Sequence, residues 1–441
     1  MSDRRTIVFF PEGAFGPTNN CVGIGNVLRA RGHRVVFIVE ESFAGRLEAQ
    51  GFEERLMRLG PPPEVAEVPG QFWIDFIRDT APVFRKSTFE QLGEFIAPTW
   101  AALIDGARCV EPRLRAIFDE LRPDVIVEDN VVGFAAVVTA GRPWARIVSC
   151  NPAEVKDNEI PPFSSGYPTT DRRDWPAFVE EIGRTHDELW SGFDAFMREQ
   201  GAPGLGHGWL GPEFIHESPF LNLVLYPEEV DYRRATPLGP TWHRLGSCVR
   251  STTDSWHLPE SLAPGAGGRD GALLYLSLGS LGSADVALMQ RLVDILGRSR
   301  HRVIVSKGPL ADQLRLPENM AGEAFLPQPA IIPQVDLVIT HGGNNTVTES
   351  FHHGKPMVVL PLFWDQVDNA QRVAETGFGA RLPAYTVEDA ELTGTIERLL
   401  ADAALRSRLE ALSARLQAEP GTVQAADLVE RLARTGEPIT A

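Results

Sequence analysis

Short apolar runs rich in β-branched residues recur in both halves of this chain, and segments long enough to form a helix separate them. Strands that alternate with helices pair in parallel, and the helices then cover both faces of the sheet. The runs lie at residues 6–10, 35–39, 125–128 and 145–149 in the first half, and at 273–278, 302–306, 335–340 and 357–361 in the second. The sequence therefore predicts an α/β fold with a parallel sheet in each half.

The length of 441 residues exceeds one compact domain and suits two domains of about 200 residues each. Turn-forming and small residues are concentrated at 247–270, as is typical of a linker. We predict an N-terminal Rossmann-like domain over residues 1–246, a linker over 247–270 and a C-terminal Rossmann-like domain over 271–420. The remaining residues, 421–441, are expected to form a helix and tail that could pack back on the N-terminal domain.

The formal net charge of −17, from 59 acidic and 42 basic residues, disfavours nucleic acid and anionic membranes as partners, because both repel a negative surface. The four cysteines are scattered, which favours reduced thiols over disulfides or a zinc site. No His/Asp cluster suggests any other metal. The first residues lack a signal-peptide core, and no apolar run approaches the ~20 residues of a membrane span. We expect a cytoplasmic monomer or homodimer.

The most informative segment begins where the predicted strand at 335–340 ends. There His341, Gly342 and Gly343 form a tight turn into a short helix. A helix start exposes unpaired N–H groups and the positive end of the helix dipole, which together bind phosphate. Two glycines allow the backbone to approach the anion closely, because no Cβ intervenes. This turn therefore offers an anionic ligand the local attraction that the net charge denies it.

The predicted helix also carries polar side chains suited to a nucleotide. Asn345 and Thr346 add donors at the helix start. Glu349 lies one turn beyond Asn345 on the same face, where its carboxylate could accept hydrogen bonds from two ribose hydroxyls. A diphosphate and a ribose are thus the ligand groups that this helix favours.

Four elements of the second half, in their order and spacing, resemble the donor-binding signature of family-one glycosyltransferases, which include plant and animal UDP-glycosyltransferases and bacterial macrolide glycosyltransferases. The elements are Phe325-Leu326-Pro327-Gln328, His341-Gly342-Gly343-x-Asn345-Thr346-x-x-Glu349, Gly354-x-Pro356-Met357, and Asp365-Gln366 with Asn369. The resemblance implies a GT-B fold, in which two Rossmann-like domains with parallel sheets face a central cleft.

The same resemblance implies roles for individual residues at the donor site. It implies that His341, Asn345 and Thr346 contact the diphosphate, and that Glu349 holds the ribose. Phe325 would stack on the base, and Asp365 with Gln366 would bind the sugar. The other donor-binding candidates are Gly343, Gln328 and Ser280, the last of which ends a Ser277-Leu278-Gly279-Ser280 run that looks like the family's phosphate loop.

The candidate catalytic base departs from the family pattern. Family-one enzymes usually carry a histidine after the first strand, oriented by an aspartate further along. Counting back from Arg31-Gly32-His33, which looks like the family's Arg-Gly-His, places the histidine position at Pro17. Proline cannot accept a proton, and no histidine precedes His33.

The aspartate position matches Asp129, at the C-terminal end of a predicted strand, where α/β sheets place their sites. Glu12 and Asn19 are predicted at the same edge. Three explanations therefore compete. Asp129 or Glu12 takes the proton; the acceptor is itself acidic, such as a phenol or carboxylic acid; or donor binding persists without the transfer chemistry. We favour the first two jointly.

The acceptor site is predicted in the N-terminal domain, where Phe72, Trp73 and Phe76 form an aromatic stretch and Asn19 could orient the acceptor. These rings suit a flat or hydrophobic molecule, although core packing would also explain them.

The leading hypothesis is an inverting, metal-independent transfer of a sugar from a UDP- or TDP-sugar to a hydrophobic small molecule such as a natural product. The nucleotide sugar is a co-substrate, and no cofactor is expected. The alternatives are a nucleotide-sugar epimerase or hydrolase of the same fold, and a non-catalytic nucleotide-sugar-binding partner. A nicotinamide dehydrogenase is disfavoured because no GxGxxG follows the first strand.

Overall fold

The computed structural model describes residues 4–60, 78, 80–250, 255–265 and 270–441. They form two parallel sheets, one in each half of the chain, together with a two-stranded hairpin. With the strands numbered along the chain, the first sheet has the order β3-β2-β1-β4-β5-β8-β9. The second sheet has the order β12-β11-β10-β13-β14-β15. The predicted α/β fold with a parallel sheet in each half is therefore confirmed.

The strands of the first sheet contain the four predicted runs. They are β1 Thr6–Pro11, β2 Arg34–Glu40, β3 Glu53–Met57, β4 Val125–Asp129, β5 Trp144–Val148, β8 Leu221–Val224 and β9 Trp242–Arg244, and β6 His207–Gly208 pairs with β7 Gly211–Pro212 in the hairpin. The second sheet consists of β10 Leu273–Ser277, β11 Arg302–Ser306, β12 Met320–Glu323, β13 Leu337–Thr340, β14 Met357–Val359 and β15 Gly379–Arg381.

Two predicted strands are at least two residues shorter than the apolar runs suggested, and the strands predicted at 145–149 and 273–278 each end one residue early. The run at 335–340 forms a strand only from Leu337, because the 3-10 turn Ile332–Gln334 precedes it. The run at 357–361 ends as a strand at Val359, two residues before Pro361, which lacks the N–H that a strand ladder requires. Both changes leave the carboxyl ends of the strands, where the site was predicted, on one edge of the sheet.

Helices connect and cover the strands. The longer ones are Phe15–Ala30, Ala97–Leu121, Trp175–Glu199, Val286–Gly297, Asn344–His352, Gln366–Glu375, Asp389–Ala401, Ala403–Ala418 and Gly421–Thr435, and the short ones are Thr88–Gln91, Ala135–Val138, Gly279–Gly282 and Gln328–Ile331. No helix in the described part of the chain is long and apolar enough to cross a membrane.

The last helix, Gly421–Thr435, returns to the first sheet. Its Val429 and Leu432 are fully buried in one cluster with Ile7 and Phe9 of β1. A Cβ on Gly421 would lie 2.4 Å from the Leu245 carbonyl oxygen, so only glycine fits where the chain crosses back. The N-terminal domain is thus built from both ends of the described chain.

Candidate active site

The helix Asn344–His352, which we call the donor helix, begins at the carboxyl edge of the second sheet. Gly343 is its N-cap and has no side chain that could occupy the N–H groups of the first turn. The preceding Gly342 has φ +92, and a Cβ there would lie 2.8 Å from Val359 Cγ1 and 3.0 Å from the Gln366 carbonyl oxygen. Glycine is therefore required by both backbone conformation and space. The turn aims the electropositive end of the helix at the junction between the domains.

The His341 ring lies against two glycine-containing turns of the C-terminal domain, one at Gly343 and one at Gly279. A Cβ on Gly343 would lie 2.6 Å from His341 Nε2, and one on Gly279 would lie 2.8 Å from the same atom. Burial lowers the pKa of His341 to about 4, opposed by a hydrogen bond to the Ser277 backbone, so the ring is neutral near pH 7 and has one N–H. Ser280, exposed and next to Gly279, begins the short helix Gly279–Gly282 together with that glycine. The structure thus brings the two predicted phosphate-binding turns together.

Gln328, Thr346 and Glu349 form one polar cluster. Gln328 Nε2 donates to Glu349 Oε2 at 2.6 Å and to Thr346 Oγ1 at 3.2 Å. Burial raises the pKa of Glu349, while the charge of Arg250 and the bond from Gln328 oppose the rise. Arg250 Nη1 lies 3.7 Å from Glu349 Oε1. The carboxylate predicted to hold a ribose is therefore already oriented by hydrogen bonding.

Phe325 stands apart from this cluster. It is 63% exposed, three residues before Gln328, so one face of its ring is free to stack. Its stacking on a base stays a prediction.

Asp365 and Gln366 lie at the start of the helix Gln366–Glu375. Gln366 Oε1 accepts hydrogen bonds from the backbone N–H groups of Leu362 and Phe363, at 3.1 and 3.4 Å, so this amide oxygen holds the turn before the helix. Burial, followed by the charge of Asp368, raises the pKa of Asp365 to about 8. Of the predicted sugar-binding pair, Gln366 therefore already has a structural role.

Trp364, immediately before Asp365, has φ 55, a left-handed conformation that is rare for a bulky residue. Its ring packs against two aromatic rings of the N-terminal domain, with centroid distances of 5.4 Å to Trp100 and 5.9 Å to Phe163. Strained residues of this kind are concentrated at functional sites. Packing from the other domain thus helps to fix the backbone next to Asp365.

The start of the donor helix touches the first helix of the N-terminal domain. Asn345 Nδ2 donates to the Gly16 carbonyl oxygen at 2.9 Å, and Asn20 Nδ2 donates to Asn345 Oδ1 at 3.0 Å. Asn19, predicted to orient an acceptor, is half-buried beside Asn20. The predicted phosphate site and the predicted acceptor side therefore meet at one junction, which is the cleft that the resemblance implies.

Asp129 ends β4 and is only 2% exposed. Its Oδ1 accepts a hydrogen bond from Ser149 Oγ at 2.6 Å, whereas Oδ2 has no hydrogen-bond partner in the described part of the chain. Burial raises the pKa of Asp129 well above its ordinary value, opposed by the bond from Ser149. A carboxylate so enclosed is poorly placed to reach an acceptor hydroxyl by itself.

Glu12 follows β1, and its backbone N–H donates to the Asp129 carbonyl oxygen at 2.8 Å. It is partly exposed and lines a cavity at the carboxyl edge of the first sheet. Burial, reinforced by the charge of Glu154, raises the pKa of Glu12 to about 7. General bases work best with a pKa near the operating pH. Of the two predicted catalytic residues, Glu12 is thus the better placed.

Pro17, where the family histidine was expected, lies in the first turn of the helix Phe15–Ala30. Proline is tolerated there because the first N–H groups of a helix have no intrahelical partner. Pro17 therefore shapes the helix start and supplies no proton acceptor, and its match to the family histidine stays a prediction.

The cavity beside Glu12 has mainly apolar walls and a volume of about 50 Å³. Small-molecule sites measure roughly 300–1,000 Å³, so the cavity must widen before it could hold a hydrophobic acceptor. With Glu12, Glu40 and Asn130, its lining includes Phe10, Met57, Leu59, Leu103, Val132 and Phe134. Sequence reasoning missed these residues because each lies within an ordinary apolar segment. The predicted acceptor residues Phe72, Trp73 and Phe76 lie outside the described residues.

The structure also contains contacts of site residues that no sequence pattern indicated. Asn20 contacts the donor helix, Asn151 contacts Asp365, and Arg250 pairs with Glu349. Asn20 and Asn151 reach their partners across more than two hundred residues of chain, and Arg250 reaches Glu349 across about one hundred. Within the ranges that the structure describes, no group of three or more His, Cys, Asp or Glu side chains is arranged to hold a metal ion.

Gly343→Ala is expected to weaken nucleoside diphosphate binding about tenfold or more. Its φ of −58 suits any residue, but the added methyl would meet His341 Nε2 at 2.6 Å and displace a donor worth about 1.5–3 kcal/mol to a charged group. Isothermal titration calorimetry measures the change in Kd.

The matched control for this variant is Gly394→Ala, in the helix Asp389–Ala401. A Cβ there meets nothing within 4 Å, so Kd should be unchanged and stability should rise by about 0.5–1 kcal/mol. Equal Kd values for Gly343→Ala and the wild-type protein would contradict the assignment of His341.

Comparison with known proteins places this geometry in context. Residues 290–432 match the family model described as the erythromycin biosynthesis protein CIII-like C-terminal domain. The chain is 26% identical to the demethyllactenocin mycarosyltransferase of Streptomyces fradiae, over 97% of this chain and 86% of that protein.

Two solved structures share the arrangement of both domains. The glycosyltransferase of kitacinnamycin gives a TM-score of 0.65 at 23% identity, covering 98% of this chain and 99% of that one. A spinosyn rhamnosyltransferase complexed with thymidine diphosphate gives a TM-score of 0.60 at 18% identity, covering 98% and 99% of the two chains.

Two parallel-sheet domains with a donor-type turn at their junction define the GT-B class, and the predicted GT-B fold is confirmed. The predicted enzyme class, a glycosyltransferase, is confirmed as well. More particularly, the chain resembles the family-one enzymes that include macrolide glycosyltransferases, as its donor motifs predicted.

Proposed function

We propose that the protein transfers a sugar, with inversion and without a metal ion, from a UDP- or TDP-sugar to a hydroxyl, acidic phenol or carboxyl group of a hydrophobic natural product. One observation carries the proposal. The glycine-capped donor helix, with Glu349 and Gln328 hydrogen-bonded on its flank, starts at the junction with the domain that holds Glu12. A diphosphate at the helix start would then lie between the ribose carboxylate and the acceptor side.

Charge stabilisation supports the transfer step. As the bond from the anomeric carbon to the diphosphate breaks, negative charge grows on the leaving phosphate oxygen. The first-turn N–H groups of the donor helix are preorganised donors for that charge, which is an effective form of catalysis. These groups supply the stabilisation without a metal ion.

Proton removal supports the acceptor side of the proposal. Glu12, with a pKa of about 7, takes the proton from the acceptor hydroxyl as its oxygen attacks the anomeric carbon from the face opposite the diphosphate. A single displacement of this kind inverts the anomeric centre. The cavity beside Glu12 is mostly apolar, and it would hold a hydrophobic acceptor once movement of the domains widens it.

Access requires movement of the domains. Thr346 and Glu349 are only 6% and 3% exposed, and Asn345 between them is bonded to Gly16 and Asn20 of the other domain. The nucleotide sugar therefore enters when the domains part, and the two domains close over it before reaction. Closure of this kind excludes water and completes the catalytic groups.

The test begins with a thermal-shift screen of UDP- and TDP-sugars. Specific binding stabilises the folded state, so a donor should raise the Tm of the wild-type protein and do so less for Gly343→Ala. Mass spectrometry with phenolic and aliphatic acceptors then identifies the product. The proposal is wrong if no nucleotide sugar shifts the Tm, whereas hydrolysis of the donor at a rate independent of any acceptor would favour a hydrolase.

A further inference from the structure

A buried chain of hydrogen bonds crosses the domain junction at Asn151. This residue follows β5 in the N-terminal domain and is 0% exposed. Its backbone N–H donates to Asp365 Oδ2 at 3.2 Å, and its Nδ2 donates to Asn369 Oδ1 at 2.9 Å. Asn369 Nδ2 in turn donates to the Gly342 carbonyl oxygen at 2.9 Å and to Asp365 Oδ2 at 3.2 Å. One residue of the N-terminal domain is thereby linked to both Asp365 and the turn before the donor helix.

The direction of the chain is set by its end groups. The Ala153 N–H donates to Asn151 Oδ1 at 2.9 Å, so the Asn151 NH2 group must face Asn369. The Gly342 carbonyl oxygen requires a donor from Asn369, so the Asn369 amide oxygen must face Asn151. Reversing either amide would place like groups together. Asn151 is therefore the donor that orients the Asn369 side chain.

Other contacts between the same elements avoid the reacting groups. Asp368 accepts hydrogen bonds from the backbone N–H groups of Ser164 and Gly166 at 2.7 and 2.8 Å. Thr169 Oγ1 donates to Glu375 Oε1 at 2.6 Å. These bonds hold the helix Gln366–Glu375 to the N-terminal domain without touching Gly342 or Asp365. They provide an internal comparison for Asn151.

We propose that Asn151 is a positioning residue which aligns Asp365 with the Gly342 turn only when the two domains are closed. This rests on the proposed function, in which Asp365 binds the sugar and the Gly342 turn binds the diphosphate. With the domains parted, the Asn369 side chain loses the hydrogen bond from Asn151. It then no longer fixes Asp365 relative to the Gly342 turn. Closure of the N-terminal domain therefore sets the position of the sugar relative to the leaving diphosphate.

This arrangement separates nucleotide binding from transfer. A nucleoside diphosphate contacts the C-terminal domain alone, so its affinity does not depend on Asn151. Transfer needs the sugar held in line with the attacking hydroxyl, and a misplacement of about 1 Å can cost about 100-fold in rate. Loss of the Asn151 side chain should thus lower kcat and spare diphosphate binding.

The experiment compares Asn151→Ala and Asn151→Asp with the wild-type protein, once a donor and acceptor pair gives measurable turnover. The aspartate keeps an oxygen for the Ala153 N–H but has no N–H for Asn369. Both variants are expected to lower kcat by about 10- to 100-fold, with Kd for UDP or TDP within about twofold by calorimetry. The double variant Asn151→Ala/Asn369→Ala should lose little more than the more impaired single variant, because the two side chains act as one unit.

Thr169→Val is the control, since it removes one hydrogen bond from the same interface and leaves Asp365 untouched. Its kcat should stay within about twofold of the wild-type value. The inference is overturned if Thr169→Val lowers kcat as far as the Asn151 variants do, if both Asn151 variants keep full kcat, or if their Kd for the diphosphate rises in proportion to the loss of kcat. A wild-type protein that binds nucleotide sugars but transfers none contradicts the proposed function instead.

Discussion

Glu12→Gln is expected to lower kcat about 100- to 10,000-fold, the range that a general base contributes. Glutamine keeps the shape of the side chain but cannot accept the acceptor's proton. In the wild-type protein, kcat/KM should rise with pH through about 7, because burial and Glu154 raise the pKa of Glu12 to about 7 and only the ionised form is a base. Initial rates between pH 5 and 9 measure both effects.

Two further variants locate the base. Glu40 lines the same cavity, so Glu40→Gln removes a similar charge and should leave kcat within about threefold. Glu154→Gln removes a negative charge that raises the pKa of Glu12, so the acid limb of the profile should move to lower pH. If Glu12→Gln keeps its activity while Asp129→Asn loses it, Asp129 is the base. If neither matters and the profile follows the pKa of the acceptor, the acceptor supplies its own acidity.

Glu349→Ala should raise the KM for a UDP-sugar about 100-fold or more and that for a TDP-sugar about tenfold. A charged hydrogen bond contributes about 1.5–3 kcal/mol, and each 1.4 kcal/mol changes affinity about tenfold. Uridine offers two ribose hydroxyls to the carboxylate, whereas thymidine, a 2′-deoxynucleoside, offers one. The ratio of the two effects therefore reports how many hydroxyls Glu349 holds.

The control for this variant is Glu397→Ala, at a surface carboxylate of the same domain that pairs with Arg300 at 2.8 Å. It should leave both KM values unchanged. Calorimetric Kd values for UDP and TDP should follow the same order as the KM values. Equal losses for the two nucleotides would mean that Glu349 does not contact the 2′-hydroxyl, and no loss for either would remove its assigned role.

The sequence was sufficient for the fold and for the donor turn because both are local. The hydrophobic periods of the strand and the helix in each βα unit appear in consecutive residues. Likewise, Gly342, Gly343 and Glu349 lie within eight positions of one another. Their spacing alone places them on one turn and one helix face. The loss of the family histidine at Pro17 was visible for the same reason.

The contacts between domains could not be read from the sequence. Asn20 meets Asn345 and Asn151 meets Asn369, yet an asparagine in a loop or first helix turn carries no signal of a partner so far along the chain. Asp129 and Glu12 were indistinguishable as bases until the fold buried the first and left the second at a cavity. The predicted acceptor residues Phe72, Trp73 and Phe76 remain predictions.

The return of the helix Gly421–Thr435 to the first sheet has a consequence for engineering. The N-terminal domain is not one contiguous segment, because Val429 and Leu432 complete the same apolar cluster as Ile7 and Phe9. A chimaera that exchanges residues 1–246 with a relative must therefore exchange the final helix as well. Otherwise the helix of one protein will pack poorly against the sheet of the other. Cut points for such grafts belong in pairs, one in the linker and one just before Gly421.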